Sequence, residues 1–127
     1  MNRAIQAAQR AARKAIEATY CGILSVSERQ SVKDPVTHIT HMEEVVVLEN
    51  QPCKLSFETI TTAIQTETAA TISQAVKLFV SPDVTIKPGS KITVTQSGVT
   101  TAYSSSGVPA VYPTHQEIML ELFEKWG

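Results

Sequence analysis

The chain has 127 residues, of which 43% are hydrophobic and 18% charged, enough apolar content for one core and too much for a disordered segment. A net charge of -1 gives no overall attraction to nucleic acid or anionic lipid, so contact with either needs a local patch. No run reaches the ~20 apolar residues of a membrane span, and Arg3, Gln6, Gln9 and Arg10 interrupt any secretory core, so cytoplasmic synthesis without membrane contact is expected.

From Asn2 to about Thr19 an Ala-rich stretch predicts a helix with Ile5, Ala8, Ala12 and Ile16 on one face and Arg3, Arg10, Arg13 and Lys14 making it basic. Burial of each Ile would contribute only on the order of 1 kcal/mol, so this helix suits a flank of the domain or a neighbouring subunit. A solvated helix whose arginines serve solubility is the bland alternative. Residues 20–127 are expected to form a single domain, mainly β, as a small antiparallel β-barrel or sandwich.

Tyr20 to Val26 reads as the first strand, and polar Ser27 to Pro35, with its Asp34-Pro35 turn signal, reads as a loop. β-Branched residues return between Val36 and Glu49, and Asn50-Gln51-Pro52 is expected to break that strand. Cys53, Leu55 and Phe57 then alternate with Lys54, Ser56 and Glu58, predicting a second hairpin with Pro52 at a strand entrance.

Thr59 to Thr71 is polar, nearly uncharged and without Gly or Pro, and is expected as a long inserted loop, with a short exposed helix as the alternative. Ile72 to Pro82 is strand-like, and Lys87-Pro88-Gly89-Ser90 carries the residues of a type II turn. Around Ser97-Gly98 a two-residue hairpin would set Gln96 against Val99, Val94 against Thr101 and Ile92 against Tyr103. Ser104 to Gly107 is another loop. His115 to Phe123 fits a closing strand better than a helix, because Ile118, Leu120 and Leu122 alternate.

Few groups invite a chemical role. His38 and His41 are three residues apart, so on a strand their imidazoles point to opposite faces and do not converge on a metal. His115 and Glu117 share a side of a strand, where structural hydrogen bonding explains them without catalysis. The adjacent Glu43 and Glu44 fit a solvated edge where charge discourages unwanted pairing. Cys21 and Cys53 lack companions at metal-ligand spacing and are expected as free thiols. Phosphate-cradle and dinucleotide signatures are missing from the sequence, so no enzyme, cofactor or metal is expected.

The segments Ser81-Pro-Asp-Val-Thr-Ile-Lys-Pro-Gly-Ser-Lys-Ile-Thr-Val94 and Ser106-Gly-Val-Pro-Ala-Val-Tyr-Pro-Thr-His-Gln-Glu-Ile118 resemble the small head-closure, or head–tail connector, proteins of long-tailed bacteriophages and prophages of Gram-positive bacteria. Asn50-Gln-Pro-Cys-Lys-Leu-Ser-Phe57 is similar to an earlier strand of the same proteins. The resemblance implies a structural virion subunit, assembled in the host cytoplasm, that rings the DNA channel between a portal or adaptor protein and a tail-completion protein. It further implies docking to a neighbouring protein through Arg3, Arg10, Arg13 and Lys14. Ile64, Gln65 and Thr66 would form a loop tip facing double-stranded DNA without sequence specificity. The alternative is an OB-like barrel that binds single-stranded nucleic acid, which would require exposed aromatics beside Lys or Arg on a sheet face.

Overall fold

The computed structural model describes residues 2–62 and 71–126. Among these, helix α1 (Arg3–Glu17) precedes β1 (Gly22–Lys33), β2 (Thr40–Thr62), β3 (Thr71–Val80), β4 (Lys91–Gln96), β5 (Val99–Ser105), β6 (Ala110–Val111) and β7 (Gln116–Leu122). The chain is thus mainly β with an N-terminal helix, as its composition leads one to expect. The strands pair antiparallel in the order β3-β2-β1-β4-β5-β7-β6, and β3 also pairs with β7, which closes a ring of hydrogen bonds.

Alternate residues from the strands of that ring fill its interior. Leu24 and Val26 of β1, Cys53 and Leu55 of β2, Leu78 and Val80 of β3, Ile92 and Val94 of β4, Tyr103 of β5 and Ile118 of β7 form one buried cluster. Leu48, Val84 and Ile86 pack against it. The β4–β5 hairpin has the register its sequence specifies, with Gln96 opposite Val99, Val94 opposite Thr101 and Ile92 opposite Tyr103. Ser97 and Gly98 both have positive φ, 54° and 78°, the type I′ geometry whose twist matches the flanking strands. Val99 and Phe57 are 63% and 50% exposed, because both sit at the ends of the ring where the inward face runs out of partners. Gly89, with φ of 85°, supplies the positive dihedral of the Lys87–Ser90 turn, closed by Ser90 N–H donating to Lys87 O.

Gly22 permits an unusual contact. A Cβ there would lie 3.1 Å from Gln96 Oε1 and 3.2 Å from Cys53 O. Gln96 reaches across the bare glycine, past β1, to β2: its Oε1 accepts from Leu55 N–H at 2.8 Å and its Nε2 donates to Leu55 O at 3.2 Å. The side chain thereby stands in for the strand residue that β1, which starts at Gly22, does not provide.

Four sequence expectations need correction, the smallest being that Ser104 and Ser105 belong to β5, paired with Glu121 and Leu120, and not to a loop. Ser27 to Lys33 is strand, not loop: β1 continues to Lys33 and pairs with Thr40 to Val46, so the turn shrinks to residues 34–39. Asn50-Gln51-Pro52 does not end a strand, and β2 passes through it without a hairpin. Instead, two register shifts against β1 each absorb an extra residue of β2, with Asn50 in the left-handed region at φ of 55°. Pro52 is tolerated because pairing with β3 starts only at Cys53, leaving that side of β2 open. The long insertion is also shorter than 59–71, since Thr59 to Thr62 pair with Thr71 to Gln74. In both places the polar sequence lacks a core pattern because these stretches extend beyond the core as two-stranded ribbons, which need β-propensity and no apolar face. The closing strand at Gln116–Leu122 is as expected, with Gln116, Ile118 and Leu120 buried.

Candidate interaction surfaces

β2 organises the parts of the protein that lie outside the core. Its 23 residues span a contour of roughly 70 Å at about 3.3 Å per residue. Pairing of β1 with β4 stops at Ser27 and Lys91, so Glu28–Lys33 and Thr40–Val45 continue alone as a first ribbon. At the other end of β2, β3 pairs with β7 only from Val76 to Val80, so 59–62 and 71–74 continue as a second ribbon. Ile64, Gln65 and Thr66, assigned to a channel-facing tip, lie outside the described residues.

The first ribbon ends in a tip built around Asp34. Its Oδ1 accepts from Val36 N–H at 2.7 Å and Thr37 N–H at 3.0 Å, and its backbone O accepts from His38 N–H at 2.9 Å. These amide donors hold the Asp34 carboxyl below the usual range. Val36 and Ile39 project from the tip, 84% and 66% exposed. His38 adopts positive φ in this turn while His41 starts the strand 3.9 Å from Glu43, so the two imidazoles serve different local structures. No group of three or more metal-binding side chains occurs among the described residues.

Helix α1 contributes no buried residue. Asn2 caps it, its Oδ1 accepting from Ala4 N–H at 2.7 Å. Arg13 tethers it: Nη2 donates to Ser81 Oγ and to Asp83 Oδ2, both at 2.7 Å, while Nε donates to Glu17 at 2.9 Å. The Asp83 and Glu17 carboxylates raise the guanidinium pKa further. Of the four basic residues assigned to docking, Arg13 therefore faces the chain's own β3–β4 connection. Arg3, Arg10 and Lys14 are exposed. That division depends on Ser81 and Asp83, about seventy positions away, and has no local signal in the helix.

His115 lines a cleft beside the end of the helix. It stacks on Tyr112 at 4.9 Å and approaches Phe79 at 5.9 Å. Its Nε2 lies 2.9 Å from Glu117 Oε2, and Lys77 Nζ lies 3.2 Å from Glu117 Oε1. The His115 hydrogen bond, with Lys77 behind it, lowers the Glu117 pKa. Ile16, Thr19, Tyr20, Lys54, Phe79 and His115 line a cleft of about 250 Å³ between helix and sheet. His115 and Glu117 are hydrogen-bonded to each other, as their two-residue spacing on a strand allows. Cys53 is buried and its pKa is pushed up to about 12 by that burial, whereas Cys21 is exposed. Glu44 lies 3.5 Å from Lys91, reaching across β1 toward β4, while the Glu43 side chain is 55% exposed. Tyr103 lies in the interior of the ring, 5% exposed, and offers no stacking surface, whereas Phe57 is 50% exposed.

A scan of protein-family profiles finds no match, and neither does a search of curated proteins. The chain is similar to a solved structure described as the phage-like element PBSX protein xkdH from Bacillus subtilis, at 12% identity and a TM-score of 0.48, over 79% of this chain and 91% of that one. No helix among the described residues is long and apolar enough to cross a membrane.

Proposed function

We propose that this chain is a structural subunit of a phage or prophage head–tail connector, without catalytic activity, that closes the DNA-filled head and joins a portal or adaptor protein to the tail. The observation that carries this reading is the distribution of the chain about its core. A small closed sheet holds a ribbon at each end of one long strand and a helix with solvent-facing Arg3, Arg10 and Lys14. Such a layout devotes much of the sequence to contacts with neighbours. The resemblance of Ser81–Val94 and Ser106–Ile118 to head-closure proteins supports the same reading.

In this proposal the helix docks to the portal or adaptor, copies of the chain form a ring, and the second ribbon leads into the stretch that faces double-stranded DNA. A Thr-rich segment with one Glu and no Lys or Arg next to DNA avoids the phosphate binding that clustered lysines would impose. The experiment is charge reversal in the encoding phage or prophage. The triple substitution Arg3→Glu, Arg10→Glu and Lys14→Glu should give filled heads that leak DNA and lack tails. Particles with normal tails and titre would refute docking through the helix.

A further inference from the structure

We infer that the first ribbon is a self-association element in which the open edge of β2 in one copy adds to the open edge of β1 in the next. The ribbon offers both halves of such an interface. Beyond Ser27 the outer edge of β1, Glu28–Lys33, has no strand partner among the described residues. The outer edge of β2 is likewise unpaired from Thr40 to Pro52, because β3 joins only at Cys53. Unpaired N–H and C=O groups along an edge are a template for another strand. Because the two edges lie on opposite sides of one ribbon, each copy presents one socket and one insert.

Orientation follows from symmetry. β1 and β2 run antiparallel within a copy, and rotation about an axis along the ribbon leaves every strand's direction unchanged. β2 of one copy therefore meets β1 of the next antiparallel, the more favourable pairing. The repeat continues round a ring as β1-β2-β1-β2 without an edge left over.

The socket is shaped for an added strand. A groove of about 620 Å³ runs beside the β1 edge, lined by Glu28 to Ser31, Met42, the Lys87–Ser90 turn and Trp126. Ser90 is 2% exposed, and its hydroxyl has no hydrogen-bond partner among the described residues. Trp126 and Met42 supply apolar anchors beside it.

Charge selects the occupant. The β1 edge carries Glu28, which lies 4.0 Å from Lys87 of its own copy, and Arg29 and Lys33, neither of which makes an ion pair among the described residues, so it is net positive. The β2 edge carries Glu43, Glu44 and Glu49, of which Glu44 also lies 3.5 Å from Lys91 of its own copy. Joining β2 to β2 would set these glutamates against their own copies. The unlike pairing sets the net negative β2 edge against the net positive β1 edge, which favours the head-to-tail repeat over a β2–β2 dimer.

The inference rests on the proposed function only for the expectation that copies associate, and its test is independent of phage assembly. Two proteins, both carrying Cys21→Ser, would have Gln30→Cys in one and Glu43→Cys in the other, and would be mixed under mild oxidation. Disulfide-linked 30–43 heterodimer should exceed the 30–30 and 43–43 products, and a control with Thr85→Cys replacing Glu43→Cys, by about tenfold or more. Adding Arg29→Glu to the first protein should lower that yield about tenfold, and Glu44→Arg in the second should restore it. Equal yields of all products, or no rescue by the charge swap, would overturn the inference. A connector phenotype that fails while this cross-link persists would refute the phage role and leave the interface standing.

Discussion

Replacing Gln96 with Ala removes the side chain that satisfies both backbone groups of Leu55. Leu55 is only 6% exposed, so its N–H and C=O would lose their partners in a largely dry place. Each unsatisfied buried group costs about 1–3 kcal/mol, but Gln96 itself is half-buried and water would recover part of that, so a net loss of about 2–3 kcal/mol is expected. Gly22→Ala attacks the same contact from the other side, because its Cβ would press on Gln96 Oε1 and on the Cys53 carbonyl, and the carbonyl belongs to backbone that cannot swing away. Its cost should be about 1–3 kcal/mol, and the double variant should lose less than the sum. Urea unfolding monitored at constant slope gives the energies, and hydrogen exchange at the Leu55 amide reports the local bond. A loss below about 0.5 kcal/mol with unchanged Leu55 protection would refute the role assigned to Gln96.

Other expectations follow from the tether, the thiols and the acid group. Arg13→Ala should raise amide exchange along α1 while changing global stability by less than about 1 kcal/mol, since the helix buries no residue and the ion pairs it breaks are open to water, Asp83 at 77% exposure and Arg13 and Glu17 at about 30%. Cooperative loss of the whole fold would contradict that peripheral placement. Thiol titration of the native protein should label Cys21 promptly and Cys53 only on unfolding, because burial keeps Cys53 protonated at neutral pH. Glu117 has a folded pKa below its unfolded one, so its contribution is fully present above about pH 4.3 and fades as pH falls through the depressed folded value. Glu117→Gln should flatten the acid limb of stability against pH. An identical limb in both proteins would rule out the His115–Glu117 contact as its source.

The parts of this fold legible in the sequence are those with a local cause. Ser97-Gly98 names its own turn because few residues accept two successive positive φ angles, and the flanking alternation then fixes the register. Lys87–Ser90 and the closing strand at Gln116–Leu122 follow in the same way. The ribbons were not legible, since a strand pair outside a core has no reason to alternate apolar with polar. Ser27–Lys33 and Thr59–Thr62 therefore look like loops until their partners are known. Asn50 and Pro52 signal a break, yet a bulge uses the same residues to bend a strand that continues. The Gln96 bridge and the Arg13 tether join positions 41 to 70 residues apart, distances over which no spacing rule operates. The candidate surfaces were legible only as charge: the basic residues of the helix and the glutamates of β2 could be identified, but not which of them the chain itself engages.

The reading of this chain as a connector subunit is tested most directly by locating it in purified tailed particles of the encoding phage or prophage through an image reconstruction of the neck. The expected result is a ring of closed sheets at the head–tail junction, with helices toward the portal side and first ribbons joined edge to edge. Particles that lack the chain, or carry it away from the junction, would contradict the account.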